Sequence, residues 1–314
     1  MEKVIVSAIM ITGTCRKRAQ RSLDALYGQT IIDKMEIIIV DLAATDSQPF
    51  TYSQNIRISI IPMPKNTSWA SARMTAVKKA TGEIVAFIED HSFAEPDWAE
   101  QVSREFEGPW AAVGYCVVNA NPETYASRSG LVADYILWMS PLQGGKTKLL
   151  PGNNVAYRRD LLTQFGERLK GDLGIDFNIH EALKKQGHEL AMAANALIAH
   201  QNYDRIGGLI QANYHYCKLL AANRVLSQDW GWFRRAAYIV GAPLGAPVIK
   251  LFRIIMSLSG RRQLVWPFIS ALPIIFITFF ISAVGESFGY LFGAGQSAED
   301  FNKWELMQQR TQDE

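Results

Sequence analysis

An α/β fold on an open, mostly parallel sheet, with an apolar region after it, is what this sequence predicts from three observations. Short β-branched runs alternate with helix-period stretches from residue 1 to about 105, the order expected of parallel strands joined by crossover helices. The run Ile37-Ile38-Ile39-Val40 is apolar at every position, as a strand covered on both faces must be. Val265 to Val284 is a 20-residue stretch without one charged side chain, and a helix of that length covers roughly 30 Å, the thickness of a hydrocarbon core.

The elements follow in order. Val4 to Ile11 is β-branched and predicts the first strand; Thr12 to Arg18 breaks it, and Leu23, Leu26 and Tyr27 mark the inner face of a helix. Glu36 to Val40 predicts a second, central strand ending at Asp41. In Ile56 to Ile61, Arg57 and Ser59 alternate with Ile56, Ile58 and Ile60, which predicts an edge strand with one wet face. Ser71 to Ala80 reads as helix, and Glu83 to Ile88 as a strand that stops at Glu89, Asp90 and His91. Ala111 to Val118 and Val155 to Tyr157 predict further strands, and about Phe177 to Lys185 a helix closed by Gly187. Sheets of this kind bind ligands at the carboxyl ends of their strands, so polar residues that end strands are the candidates for chemistry.

With 314 residues the chain is long enough for one large α/β domain and an appendage. The divisions expected are a domain over 1–205, a helical connector over 206–235, a membrane-attachment region over 236–293 and a polar tail over 294–314. A net charge of +2, from 32 basic and 30 acidic residues, excludes the strong basic field of a nucleic-acid binder. Cys15, Cys116 and Cys217 are far apart in sequence, which supports neither a disulfide framework nor a zinc knuckle. Met1 to Met10 holds only a short apolar run with no cleavage-site pattern, so no secretory signal is expected and the first domain is expected in the cytoplasm. Ala236 to Ile249 is apolar with two prolines, but Lys250, Arg253, Arg261 and Arg262 follow. A crossing there would put the arginines outside, against the positive-inside rule. The expectation is therefore an interfacial or re-entrant segment over 236–258 and a transmembrane candidate over 265–284.

Glu89-Asp90-His91 is the strongest chemical cluster. Carboxylates with an imidazole at a strand end hold Mn²⁺ or Mg²⁺ while leaving coordination positions for phosphate oxygens. A solvated strand terminus is the plain alternative.

Around that cluster the order of motifs resembles the family-2 glycosyltransferases of the GT-A fold. After the first strand and loop come Arg21-Ser22-Leu23-Asp24-Ala25-Leu26 and Gln29-Thr30; the next strand ends in Asp41 and continues to Thr45-Asp46. Ala72-Arg73 and Thr81-Gly82-Glu83 then precede Glu89-Asp90-His91, and Glu95-Pro96-Asp97-Trp98 follows it. The likeness covers about residues 4 to 205 and implies a GT-A (Rossmann-like) catalytic domain with C-terminal membrane-associated helices. It implies transfer of a sugar from a nucleotide-diphosphate donor to a hydroxyl of a lipid-linked or cell-envelope saccharide, inverting and metal-dependent, at the cytoplasmic face of the inner membrane. Nucleotide sugar, acceptor and membrane lipid are the partners implied.

The resemblance assigns Thr12, Asp41, Arg73 and Asp90 to the nucleotide sugar, and Glu89, Asp90, His91 and His200 to a divalent cation. Leu150 to Arg159 resembles the family's acceptor-side loop, which assigns Gly152, Asn153 and Asn154 to the acceptor. Asp176, eleven residues before Gly187-His188, stands where the family carries its catalytic base, with Asp172 as the second choice. Read by themselves, Asp41 suits a turn or helix cap, Gly152 a Pro-Gly turn, Asp176 a solvated loop, and His200 a surface hydrogen bond. Ile11, Gly13-Thr14, Leu42 and Ile175 depart from the family pattern. Leu42, Ile175 and Glu89-Asp90-His91, which stands where the family carries Asp-x-Asp, leave a second reading, a catalytically silent relative acting as membrane scaffold or sugar-binding subunit. Gly285 to Gly293 resembles the tail of bacterial envelope members.

Overall fold

The computed structural model describes residues 3–44, 48–53, 55–166, 176–312 and 314. The chain divides into two compact units, one of Met1–Ala120, Trp138–His200 and Glu314, the other of Asn121–Leu137 and Gln201–Asp313.

The first unit is built on one sheet. Its strands are β1 (Val6–Thr12), β2 (Met35–Asp41), β3 (Ile58–Pro62), β4 (Ile84–Glu89), β5 (Ser92–Ala94), β6 (Trp110–Asn119), β7 (Gly145–Thr147), β8 (Val155–Arg158) and β9 (Glu189–His200). They lie in the order β3-β2-β1-β4-β8-β6-β9-β5, with β7 paired to β9. β3, β2, β1 and β4 are mutually parallel, as predicted. Beyond them the sheet is mixed: β8 is antiparallel to β4 and β6, and β6 is parallel to β9. β3 is the edge strand that its alternation predicted and is half-buried. β2 is second from that edge rather than central. Its Ile37 to Val40 are nonetheless fully buried, because both faces are covered even one strand in from the edge.

The helices of this unit are α1 (Arg16–Tyr27), α2 (Trp69–Lys79), α3 (Trp98–Glu105), α5 (Arg159–Gln164) and α6 (Asp176–Lys185); α4 (Tyr125–Tyr135) belongs to the second unit. Ser68 caps α2, its hydroxyl accepting from Ser71 N–H at 3.2 Å. α6 stops as predicted at Gly187, whose φ of +87° only glycine adopts cheaply. Registers matter most for function: Thr12 pairs with Asp41, Ile11 with Glu89, and Ser92 with His200. One end of the sheet thereby collects the polar residues that terminate β1, β2, β4 and β9. Cys15, Cys116 and Cys217 are buried free thiols.

The second unit is helical. α7 (Ile206–Ser227), α8 (Trp232–Ser257), α9 (Val265–Phe292) and α10 (Ser297–Asn302) join α4 there. Ala236 to Ile249 lies inside the continuous helix α8, which carries Pro243 and Pro247, rather than in a re-entrant turn. α8 and the segment Arg262–Phe292 are each long and apolar enough to cross a membrane. The glycines of the last helix have a packing reason. A Cβ at Gly285 would sit 2.5 Å from the Tyr214 carbonyl oxygen, and one at Gly289 would strike that of Lys218, so α9 and α7 approach with their backbones nearly in contact.

Candidate functional site

Glu89 ends β4, and the turn at Asp90 and His91 leads directly into β5, whose pairing with β9 sets His200 beside them. The imidazoles of His91 and His200 lie with centroids 4.9 Å apart and nearly perpendicular planes. Glu89 Oε2 is 3.4 Å from His200 Nε2 and 3.6 Å from His91 Nε2. One ligand atom from each of the three residues lies within 4.8 Å of the others, in a buried setting. A carboxylate and two imidazoles at that separation form a donor set that suits a divalent cation.

Neighbours fix each member. Asn154 Nδ2 donates to Glu89 Oε2 at 2.6 Å, and Asn153 Nδ2 to Glu89 Oε1 at 2.8 Å. Asn153 in turn accepts from Arg73 Nη2 at 2.8 Å, and the Arg73 guanidinium lies 4.7 Å from the Phe87 ring centroid. Asn153 holds φ at +62°, the left-handed region that asparagine tolerates better than most residues. Asp90 does not join the three-residue donor set. Its Oδ1 lies 2.9 Å from His91 Nδ1 and 3.2 Å from Arg18 Nε, and its Oδ2 accepts from Thr12 Oγ1 at 3.2 Å. Arg18 and Asp90 are both fully buried, and Glu314 Oε2 lies 3.1 Å from Arg18 Nη1. A carboxylate that accepts from one imidazole nitrogen turns the other toward a metal position, the usual support of a histidine ligand. Ser22 completes the support by donating to the Ser92 carbonyl at 2.8 Å.

At the end of β2, Asp41 Oδ2 accepts from Arg16 Nη2 at 2.7 Å, and Oδ1 accepts from Ala43 N–H at 3.0 Å. The second contact is the turn role that an isolated aspartate there suggests. The Arg16 guanidinium lies 4.0 Å from the Phe50 ring centroid, and its buried Nε and Nη1 have no partner among the described residues.

The structure thus brings together Thr12, Arg73, Glu89, Asp90, His91, Asn153, Asn154 and His200. Asn154, expected on the acceptor, is fully buried and bound to Glu89 instead. Gly152 is partly exposed, in the loop that carries both asparagines. Asp176 opens α6, but its side chain, like the whole of Asp172, lies outside the described residues. No motif in the sequence singles out Arg16, Arg18 or Phe50. Arg16 and Arg18 stand in a basic run whose partners are 25 and 72 positions away, and the one signal pointing to them is cations placed just after a strand end.

Residues 7–166 match the family described as "Glycosyl transferase family 2". The curated "Putative glycosyltransferase EpsH" of Bacillus subtilis (strain 168) is 30% identical over 108 residues, 33% of this chain and 31% of that protein. The match therefore spans about a third of that relative. Among solved structures, the mannosyltransferase PcManGT from Pyrobaculum calidifontis, in complex with GDP-Man and Mn²⁺, superposes with a TM-score of 0.57 at 18% identity, covering 93% of this chain and 88% of that one. S. aureus TarS 1-349 in complex with UDP gives a TM-score of 0.46 at 15% identity, covering 90% of both chains.

Proposed function

This chain belongs to glycosyl transferase family 2 and is by that membership a glycosyltransferase, and from that premise we propose that it moves a sugar from a nucleoside-diphosphate donor to an acceptor hydroxyl with the help of a divalent cation. The observation that carries the reading is the convergence of Glu89, His91 and His200 at the carboxyl end of the sheet. Mn²⁺ or Mg²⁺ held by those side chains would neutralise the diphosphate as the bond from the anomeric carbon to its oxygen breaks. PcManGT, solved with GDP-Man and Mn²⁺, is in keeping with that chemistry.

The chain's own residues divide the remaining work. Asp41 accepts from ribose or base, and the two donors left on Arg16, beside the Phe50 ring, suit the nucleoside and its phosphate. Thr12, Arg73 and Asp90 hold the donor site in register, with Asp90 acting through His91. Gly152 leaves its backbone open to a sugar ring. Asp176 takes the proton of the acceptor hydroxyl on the side opposite the leaving diphosphate, so the new bond forms with inversion. The acceptor is a lipid-linked or cell-envelope saccharide, which is why two long apolar helices accompany the catalytic unit. The enzyme works at the inner membrane with its catalytic unit in the cytoplasm.

The test is turnover of a panel of nucleotide sugars with Mn²⁺, with Mg²⁺ and with chelator. Cation-dependent release of nucleoside diphosphate from one of them is expected. Turnover that chelator leaves untouched would overturn the cation role, and no turnover with any donor would favour the silent scaffold.

A further inference from the structure

The two long helices of the second unit each expose an apolar face. Among the exposed residues of α9 are Trp266, Ile269, Phe276, Ile277, Phe280 and Phe288, whose separations from Trp266 are close to whole numbers of helical turns. That spacing draws one apolar stripe along the whole helix. α8 carries a matching stripe through Phe233, Val240, Leu244, Val248, Phe252 and Met256. Phe233 is 90% exposed and Trp266 74%, values unsuited to water contact.

The opposite side of α9 is not apolar in the same way. α7 runs beside α9 in the same direction, with Leu209 and Ala212 beside Ile274, Asn213 bonded to Ser282, and Arg224 bonded to Tyr290. At Ile274, halfway along the charge-free stretch, the cluster also contains Tyr203 and Trp304. Tyr203 carries the Arg310 guanidinium 4.2 Å from its ring centroid, and Arg310 pairs with Glu305 at 2.5 Å. The sequence neighbours of this cluster, Arg205 and Lys303, are exposed. A bilayer surrounding the middle of α9 would have to take all of these charges into hydrocarbon, where ionised side chains are costly.

Resting on the membrane reading above, we propose that α9 does not cross the bilayer: α8 and α9 lie along one leaflet, their apolar stripes sunk at the headgroup boundary. Charge supports a lipid surface as the occupant. Residues 230–292 contain Arg234, Arg235, Lys250, Arg253, Arg261 and Arg262 against the single acid Glu286, which is buried beside Arg224. Arg235 and Arg261 are engaged with the backbone carbonyls of Tyr290 and Ile136. Arg234, Arg253 and Arg262 are exposed and suit anionic headgroups.

The experiment uses the full chain with a cysteine placed beyond either end of α9, as Arg262→Cys and Gln296→Cys. Both sites are exposed, and the three native thiols are buried, so the parent chain serves as the blank. Sealed membrane vesicles that display the catalytic face are treated with a membrane-impermeant maleimide before and after detergent. Equal labelling of both sites in the intact vesicles is expected. Labelling of one site only until detergent is added would show a crossing and overturn the proposal, while leaving the membrane reading intact. A parent chain absent from the membrane fraction would overturn both. In a second arm, Phe276→Asp with Phe280→Asp is expected to lower flotation with phosphatidylcholine–phosphatidylglycerol vesicles about tenfold or more. Undiminished flotation, or a parent that pairs through this face as a dimer instead of binding vesicles, would also overturn it.

Discussion

Asp90 Oδ1 stands 2.9 Å from His91 Nδ1, and this contact turns the other imidazole nitrogen toward Glu89, 3.6 Å from its Oε2. Arg18 and Thr12 hold the same carboxylate from its far side. The carboxylate at the centre of the Glu-Asp-His motif therefore orients the His91 imidazole, and in the proposed cation site it acts through that ring.

The first prediction concerns that arrangement. Asp90→Asn keeps the shape and removes the charge facing Arg18 and His91. Loss of such a supporting carboxylate typically lowers metal affinity about 10- to 100-fold. Calorimetric titration with Mn²⁺ is expected to show a drop of this size, with His91→Ala binding more weakly still. Equal, complete loss in both variants would place Asp90 on the cation directly.

Asn153 carries the second. Its side chain bridges Arg73 and Glu89 while its backbone holds φ at +62°. Asn153→Gly loses both hydrogen bonds, and Asn153→Ala also pays a left-handed backbone cost of roughly 1–2 kcal/mol. Urea unfolding is expected to rank the alanine variant below the glycine variant by about that amount. Equal stabilities would show that the backbone relaxes. Both variants are expected to turn over more slowly than the parent, because Glu89 loses a fixed partner.

Asp176→Asn tests the assigned base. The amide cannot take a proton, so turnover is expected to fall about 10² to 10⁴-fold, with donor binding retained. An unchanged rate would move the role to Asp172 or to another carboxylate.

In the helical unit, Gly289→Ala places a methyl group against the Lys218 carbonyl oxygen. Forcing α9 and α7 apart is expected to destabilise the protein by about 1–3 kcal/mol, the usual range for overpacking. A thermal scan in detergent reads the effect, and an unshifted melting temperature would show that the helices separate freely.

How far the sequence could be read depended on whether the signal was local. Strand ends were visible: Asp41, Glu89 and His200 each close an apolar run, and register needs only the strands to align them. The wet edge strand was visible in the alternation about Arg57 and Ser59. Long-range pairing was not. Nothing beside Arg18 in the chain announces Asp90, and nothing beside Asn154 shows that β8 will insert next to β4 and deliver its amide to Glu89. The mixed half of the sheet was hidden for the same reason, because strand direction is decided by partners far along the chain. Hydropathy likewise measures a helix by itself, so the charges on the neighbours of α9 left no mark on its charge-free stretch of 20 residues.

Glu89, His91 and His200 are proposed to hold together the cation that the donor diphosphate requires. Mn²⁺ binding tests this by calorimetry on the full-length protein and on His200→Ala, each with and without nucleoside diphosphate. One cation per chain, tightened by the nucleotide and lost in the variant, is the predicted result. Mn²⁺ binding as strong in a folded His200→Ala as in the parent would contradict it.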